Sequence, residues 1–342
     1  MREALISFPM LGDWTINPPY SVQIGSFSIY LYGIVIAFGF LLAFIYCMKF
    51  CRRLDMEPNE IYDYLIWGLL AGIVGARLYY VVFNFSLYKD DLLGVFRIRD
   101  GGLAIYGGVI GAVIAIWLVA RHKRASVWRP LDVAAFGLLI GQAVGRWGNF
   151  FNRECYGYET DIFCRMGLTL DGTTIYVHPT FLYESLWNVL GLIIMHIVCK
   201  KERRYEGQFI ILYVFWYGLG RMFIEGMRTD SLWLVQDVIR VSQLLAAATM
   251  VLAGIVYIIN FKRVDVGRRP LVGRPLDAGV IIDVDMRAPA PETENAAAEE
   301  NEVSDFGDAE NEENAPPAEN TADPPADGED TQNSEINGGN EQ

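Results

Sequence analysis

Long apolar runs separated by short polar segments make up most of the chain before Lys262. A helix of about 20 apolar residues spans a hydrocarbon core of about 30 Å, and Gly, Tyr and Trp recur in these runs as they do in membrane spans. The seven runs lie at residues 29–50, 61–85, 103–120, 131–150, 180–199, 208–224 and 238–261. The pattern predicts an all-α integral membrane protein with seven transmembrane helices.

Basic clusters follow the first, third, fifth and seventh runs. They are Lys49/Arg52/Arg53, Arg121/Lys123/Arg124/Arg129, Lys200/Lys201/Arg203/Arg204 and Lys262/Arg263/Arg268/Arg269. Seven spans place all four clusters on one side, and the positive-inside rule makes that side cytoplasmic. We therefore expect an external N-terminal segment at 1–28, a membrane domain at 29–261 with an external loop at about 151–179, and a cytoplasmic C-terminus.

The formal net charge of −13 comes from the C-terminal end of the chain. Positions 281–342 contain 19 Asp/Glu and one Arg, whereas positions 1–280 contain 27 Lys/Arg and 22 Asp/Glu. A segment so poor in apolar side chains cannot offset the entropy of ordering. Residues 262–342 are predicted to be a disordered acidic tail, with docking onto a basic partner as the alternative.

The sequence contains no pattern typical of metal or cofactor binding. Five cysteines show no metal-ligand spacing, although Cys155 and Cys164 share a polar external loop in which a disulfide can form. Nucleotide-binding loops, hydrolase motifs and nucleic-acid modules are absent from the sequence. We expect no metal, no cofactor and no nucleic-acid partner, and the oligomeric state stays open.

The segment 141–157, GQAVGRWGNFFNRECYG, carries polar side chains at the external end of the fourth predicted helix. Arg146, Asn149, Asn152 and Glu154 are the candidates. A charged or amide group at membrane depth has lost its water and requires partners or a ligand. The positive-inside rule does not explain Arg146, which is therefore a functional candidate; the alternative is an arginine that snorkels to the interface.

Arg221 occupies the matching depth in the sixth run. Two such arginines suit a phospholipid headgroup, because a guanidinium stays charged and binds phosphate bidentately. Tyr217 and Glu225 lie four residues to either side, on the same helix face. A structural ion pair between Arg221 and Glu225 is the alternative interpretation.

These motifs resemble the prolipoprotein diacylglyceryl transferase family. GRWGNFFNRECYG fits the family signature GR-x-GNF-x-N-x-E-x-[WY]-G, and DGGLAIYGG before it and HPTFLYE and YGLGRMFIEGMRTD after it fall in the family's order. The resemblance implies a transferase of the bacterial cell membrane, with phosphatidylglycerol and preprolipoprotein signal peptides as partners. Its implied reaction moves the diacylglyceryl group to the lipobox cysteine thiol, forming a thioether and releasing glycerol 1-phosphate, as the first step of lipoprotein maturation.

Carried over by motif, the resemblance implies that Arg146 and Arg221 are catalytic and bind the headgroup. The motifs and the other polar positions of the external half together give the predicted substrate-binding set: Tyr32, Arg77, Arg146, Asn149, Asn152, Glu154, Gly157, His178, Tyr217 and Glu225.

One position departs from the family pattern. Many members have a histidine in GG-x-x-x-HGG where this chain has Tyr106, so a histidine base is not expected there. Tyr106 is predicted to be catalytic by orienting a phosphate oxygen or the thiol, with Glu154 or Glu225 positioning an arginine or accepting the proton. An anion transporter is the alternative function, but it predicts polar residues toward both faces and duplicated spans, which the sequence lacks.

Overall fold

The computed structural model describes residues 3–12, 14–25, 27–89, 91–98, 101–229, 233–235 and 239–276. Seven long helices account for the seven apolar runs: α1 (Leu31–Phe50), α2 (Pro58–Phe83), α3 (Ile105–His122), α4 (Trp128–Asn152), α5 (Thr180–Lys201), α6 (Gln208–Ile224) and α7 (Val241–Asp265). Among the described residues, six of these helices are long and apolar enough to cross a membrane, and α4 is the exception.

Helix α4 lies between the other helices and packs against α1, α5 and α6. Eleven of its residues are buried, including Asp132 and Asn149. Because other helices surround it, α4 can carry polar side chains that a lipid-facing helix could not. Its composition is therefore less apolar than that of its neighbours, and its role as a seventh span stays a prediction.

The prediction of an all-α fold is wrong outside the helices. Strands β1 (Leu5–Ser7), β2 (Thr15–Ile16), β5 (Met166–Leu170) and β6 (Thr173–Val177) form an antiparallel sheet in the order β2-β1-β5-β6. Two hairpins accompany it: β3 (Ser21–Ile24) with β4 (Phe27–Tyr30), and β7 (Trp233–Val235) with β8 (Ile239–Arg240).

The four-stranded sheet joins the N-terminal segment to the predicted external loop. Ile6, Leu168 and Val177 are almost fully buried between them. Strands of two to five residues are too short to give a clear alternating pattern in the sequence. We call the end of the helical bundle that carries this sheet the sheet end, and the opposite end the basic end.

The tail begins later than predicted. Helix α7 continues to Asp265, and residues 266–276 turn back to pair with the α5–α6 loop. The Asn260 amide oxygen accepts from the Leu271 N–H at 2.7 Å, and the Glu206 N–H donates to the Arg274 carbonyl at 2.8 Å. We call residues 268–276 the C-terminal strap. The prediction that disorder begins at residue 262 is therefore corrected for residues 262–276, which are ordered. The rest of the predicted tail lies outside the described residues.

Two tryptophans fix the register between α5 and α6. The rings of Trp187 and Trp216 stack at 4.4 Å, and each indole N–H donates to the other residue's carbonyl at 3.0–3.1 Å. Gly220 and Gly191 make room for the indoles, since a Cβ at either position would clash with a tryptophan ring. This contact aligns α5 with α6 just below the sheet end.

At the basic end, separate ion pairs join the helices. Arg129 contacts Glu206 at 2.6 Å, Arg203 contacts Asp55 at 2.8 Å, and Arg204 contacts Asp265 at 2.7 Å.

The buried Asp132 of α4 also lies at the basic end. Its carboxylate accepts the backbone N–H groups of Gly207, Phe209 and Ile210 at 2.7–2.9 Å. It thereby caps the start of α6 from a neighbouring helix.

Candidate functional site

Glu184, in the second turn of α5, is the centre of a charged cluster at the sheet end. Arg146 Nη2 lies 2.5 Å from its Oε2, Arg228 Nη1 lies 3.3 Å from its Oε1, and Arg221 Nη1 lies 3.6 Å from the same oxygen. The Glu184 side chain is only 9% exposed. One buried carboxylate is therefore shared by three arginines from α4, α6 and the segment that follows α6.

Glu225 holds the end of α6 in the same cluster. Arg221 Nη2 lies 2.7 Å from its Oε2, and the Ser242 hydroxyl donates to its Oε1 at 2.7 Å. Arg240 donates to the Glu225 backbone carbonyl and, at 3.0 Å, to the Tyr158 hydroxyl. The structural ion pair that the sequence left as an alternative for Arg221 and Glu225 is present.

The two predicted asparagines converge on Glu154. Asn149 and Asn152 donate to Glu154 Oε1 at 3.0 and 3.3 Å, and Arg146 Nη1 donates to Asn149 Oδ1 at 3.4 Å. The backbone makes this arrangement because Arg153 ends α4 with φ 49°, in the left-handed region. The chain reverses there and returns Glu154 to the last turn of α4.

Within the described residues, the cluster brings four arginines together with three carboxylates. They are Arg146, Arg221, Arg228, Arg240, Glu154, Glu184 and Glu225. A guanidinium that is largely removed from water requires partners or a ligand. The side chains of Arg146 and Arg221 are 23% and 20% exposed, so an anion can still reach them.

An apolar cavity of about 690 Å³ ends at Arg146 and Asn149. It continues between α1, α2, α3 and α4 as far as Cys47 and Met56 near the basic end. Tyr32 also lines it and packs against Gly148, where a Cβ would lie 2.7 Å from the tyrosine ring. The cavity thus has long apolar walls and one charged end.

Arg77 belongs to the fold rather than to this cluster. A guanidinium has five N–H groups, and all five of Arg77 donate to backbone carbonyl oxygens at 2.6–3.2 Å, those of Gly94, Val95, Arg97, Gly101 and Gly102. The buried side chain therefore holds the α2–α3 connection and has no N–H left for a substrate. The predicted binding role of Arg77 is corrected accordingly.

Gly157 and His178 lie side by side behind the cluster. The Gly157 N–H donates to the His178 carbonyl at 3.0 Å, and a Cβ on Gly157 would lie 2.7 Å from the Met227 carbonyl oxygen. Gly157 therefore permits the close approach of the segment that carries Arg228. His178 Nδ1 lies 3.3 Å from the Tyr183 hydroxyl, and burial lowers the pKa of His178.

The predicted tyrosines lie outside the network of hydrogen bonds. Tyr106 lies in the first turn of α3 beside Tyr79, is 56% exposed, and its hydroxyl makes no hydrogen bond to the described residues. Tyr217 stacks on Tyr213 with ring centroids 5.9 Å apart. Cys155 and Cys164, for which a disulfide was left open, are both free thiols.

Comparison with known proteins agrees with this architecture. The family model for prolipoprotein diacylglyceryl transferase matches residues 19–260. The chain belongs to the prolipoprotein diacylglyceryl transferase family. The predicted resemblance is confirmed, and the six apolar helices make this member of the family a multi-pass membrane protein.

The matches to individual relatives span most of the length of each relative. A phosphatidylglycerol–prolipoprotein diacylglyceryl transferase of Listeria monocytogenes serotype 4a is 43% identical over 254 residues, 72% of this chain and 90% of the relative. Proteins of the same name from Enterococcus faecalis and Finegoldia magna are 43% identical over 243 residues and 41% identical over 232 residues. Each covers 68% of this chain, and the matches span 86% and 91% of the two relatives.

The set of site residues predicted from the sequence lacked three members of the cluster: Glu184, Arg228 and Arg240. Glu184 and Arg228 lie in the motifs HPTFLYE and YGLGRMFIEGMRTD, so both could have been included. Glu184 is also the one carboxylate within the fifth apolar run, a signal typical of an intramembrane partner. Arg240 is likewise the one charged residue within the seventh apolar run, and the hairpin before α7 brings it to Glu225.

Proposed function

We propose that this protein transfers the diacylglyceryl group of phosphatidylglycerol to the lipobox cysteine thiol of preprolipoproteins. A sulfur–carbon bond forms to the terminal glycerol carbon of the diacylglyceryl group while the bond from that carbon to the phosphate oxygen breaks. The electron pair stays on the phosphate, so glycerol 1-phosphate leaves with one more negative charge than the phosphodiester had. The thiol proton passes to a base.

The observation that carries the proposal is the position of Arg146, which both ends the apolar cavity and contacts Glu184. An apolar cavity with a charged end matches a phospholipid, whose acyl chains are apolar and whose headgroup is anionic. The phosphate would accept from the guanidinium groups of Arg146 and Arg221. Membership in the family and the names of the relatives support the same substrate class.

The two arginines would act together on the phosphate. Arg221 Nη1 is buried, makes no hydrogen bond to the described residues, and lies 3.6 Å from Glu184. Arg221 Nη1 therefore offers an N–H group within the cluster from which a phosphate oxygen could accept a hydrogen bond. Because the phosphate gains charge as the carbon–oxygen bond breaks, positioned guanidinium groups bind the transition state more strongly than the ground state.

Glu154 is the better candidate for the proton acceptor. A thiol with an ordinary pKa near 8.5 must lose its proton to attack. Glu225 is held by Arg221 and Ser242, which occupy both of its carboxylate oxygens and suit a positioning group. Glu154 is instead held by two neutral amides, which leave its second oxygen for the thiol.

We assign the sheet end to the outer face of the bacterial cytoplasmic membrane, with seven spans and the basic end in the cytoplasm. The basic clusters at one end support this orientation through the positive-inside rule. Helix α4 would then cross the membrane within the bundle, shielded from lipid by α1, α5 and α6.

The test is transfer from phosphatidylglycerol to a lipobox peptide by purified protein. We expect Arg146→Ala to abolish detectable transfer and Arg146→Lys to lose most of it, since lysine cannot bind phosphate bidentately. Arg204→Ala, which removes an arginine at the basic end, is the matched control and should keep the wild-type rate. Tyr106→Phe should lose far less than Arg146→Ala, because its hydroxyl lies outside the hydrogen-bonded cluster.

Two results would contradict the proposal. Full transfer by Arg146→Ala would remove Arg146 from catalysis. No transfer by folded wild-type protein with phosphatidylglycerol would remove the transferase function and favour the anion pathway.

A further inference from the structure

Three arginines at the basic end converge on one cavity. Arg121 and Arg124 come from the end of α3 and the turn after it, whereas Arg274 comes from the C-terminal strap, beyond the last helix. The cavity measures about 310 Å³, and its other lining residues are Trp117, Ala120, Ala125, Ser126, Val127 and Trp128. The lining residues therefore include three arginines and no Asp or Glu.

Several basic side chains near this cavity contact a carboxylate. Arg129, Arg203 and Arg204 each contact a carboxylate within 2.8 Å, and Lys123, in the same turn as Arg124, contacts Asp63 at 2.5 Å. Over the described ranges, Arg121, Arg124 and Arg274 form no ion pair with a carboxylate. Like charges gathered in one place repel one another unless an anion lies between them.

The backbone around this cavity is held firmly. The Arg274 carbonyl accepts from Glu206, and the Leu276 N–H donates to the Arg204 carbonyl at 3.1 Å. Gly273 has φ +92°, and a Cβ there would overlap the Glu206 carbonyl oxygen, so the strap approaches the α5–α6 loop as closely as a glycine allows. The fold thus presents Arg274 to α3 by a specific arrangement.

Two tryptophans indicate the source of the anion. Trp117, 49% exposed, lies one turn before Arg121, whose guanidinium is 5.8 Å from the Trp117 ring centroid. Trp128, at the start of α4, lines the other side of the cavity. Tryptophan beside arginine at the end of a membrane helix is typical of the level of the lipid headgroups.

We propose that the cavity formed by Arg121, Arg124 and Arg274 binds the phosphate of an anionic phospholipid headgroup, as a site separate from the cluster around Glu184. It lies at the other end of α3 and α4 from Arg146. The inference does not depend on the transferase reaction.

Native mass spectrometry of the full chain in detergent, titrated with dioleoyl phosphatidic acid, tests the proposal. Phosphatidic acid also reaches the arginines around Glu184, so the readout is the difference in bound lipid between variants. We expect the triple variant Arg121→Gln/Arg124→Gln/Arg274→Gln to bind one lipid fewer than wild type, with at least about a tenfold loss of affinity at that site. The control Lys200→Gln/Lys201→Gln/Arg268→Gln removes the same charge from the same end and should keep the lipid.

Several outcomes would overturn the assignment. Equal lipid counts in wild type and the triple variant would remove the site, and equal losses in both triple variants would reduce it to general attraction by charge. Inorganic phosphate alone could raise the melting temperature of the wild type as much as phosphatidic acid does. That result would make the ligand free phosphate rather than a lipid. A carbodiimide crosslink between Lys123 and the residues beyond 276, formed with lipid present, would make the acidic tail the occupant.

A variant that failed to fold would not obscure the result. The lipid-free melting temperature and the transfer rate of the triple variant should match those of its control, because neither set of residues touches Glu184 or Arg146. A triple variant that matches its control in both and still binds the full number of lipids overturns the proposal.

Discussion

The two ends of the helical bundle use arginine in different ways. At the basic end, Arg129, Arg203 and Arg204 each have their own carboxylate. At the sheet end, Arg146, Arg221 and Arg228 share Glu184.

The difference between these two sets of arginines is the number of guanidinium groups that contact one carboxylate. One-to-one pairing at the basic end joins two segments of the chain at a time. Sharing of Glu184 ties the positions of three arginines to a single buried side chain.

The largest expected effect comes from removing the shared carboxylate. Glu184→Gln keeps the shape of the side chain but leaves three arginines without their common partner. Breaking a buried ion pair costs about 3–5 kcal/mol, which corresponds to about 100-fold or more in rate if the arginines move from the phosphate. Transfer by purified protein measures the effect.

Glu206→Gln is the control for Glu184→Gln. It removes a buried carboxylate of the basic end, where Arg129 is its partner. We expect a lower melting temperature and an unchanged rate per folded molecule. Equal rates for both variants would refute the contrast between the two ends.

The next largest effect is expected from a substitution that disturbs the register between α5 and α6. Gly220→Ala would force a methyl group into the Trp187 indole, and overpacking of this kind costs about 1–3 kcal/mol. Because Glu184 and Arg221 lie beside this contact, we expect both the melting temperature and the transfer rate to fall. The control is Gly33→Ala in α1, where a Cβ would meet no atom within 4 Å and neither value should change.

A smaller effect is expected from an exposed pair at the basic end. Asp265→Asn breaks the contact with Arg204, but the Asp265 side chain is 65% exposed. Such pairs contribute less than about 1 kcal/mol because water and salt screen them. Chemical denaturation should give a small loss that disappears at high salt, and a loss as large as that of Glu206→Gln would contradict the distinction between buried and exposed pairs.

The smallest effect concerns His178. Burial lowers the pKa of His178 in the folded protein, so protonation opposes folding. Stability should therefore decrease as pH falls below the ordinary histidine pKa of about 6.5 and should stop decreasing below the folded pKa. As the pH is lowered from 7.5 to 5, the melting temperature should fall more for wild type than for His178→Asn. Parallel plots of melting temperature against pH for the two proteins would exclude His178 as the cause.

The sequence predicted the helices well, because apolar runs are a local signal. Arg146 and Arg221 stand out in the sequence as charges in apolar runs, and their roles at the site stay predictions. The small sheet left no such signal, since it pairs Ile6 near the start of the chain with the distant Leu168 through very short strands.

Partners were harder to predict than positions. Arg77 resembled the site arginines in sequence, yet a loop supplies carbonyl groups for all of its N–H groups. Glu184 was one carboxylate among several near the sheet end, and only the packing of α4, α5 and α6 makes it the common partner. The packing of the helices decides which side chains meet, and the composition of a single segment does not reveal it.

The cap that Asp132 gives to α6 has a consequence for biogenesis. The carboxylate leaves the ribosome well before the N–H groups that it accepts, and it lies in the least apolar of the long helices. Until α6 has been made, this carboxylate lacks the three N–H groups that it accepts in the folded protein. We therefore expect α4 to reach its final packing only after the start of α6 has been synthesised.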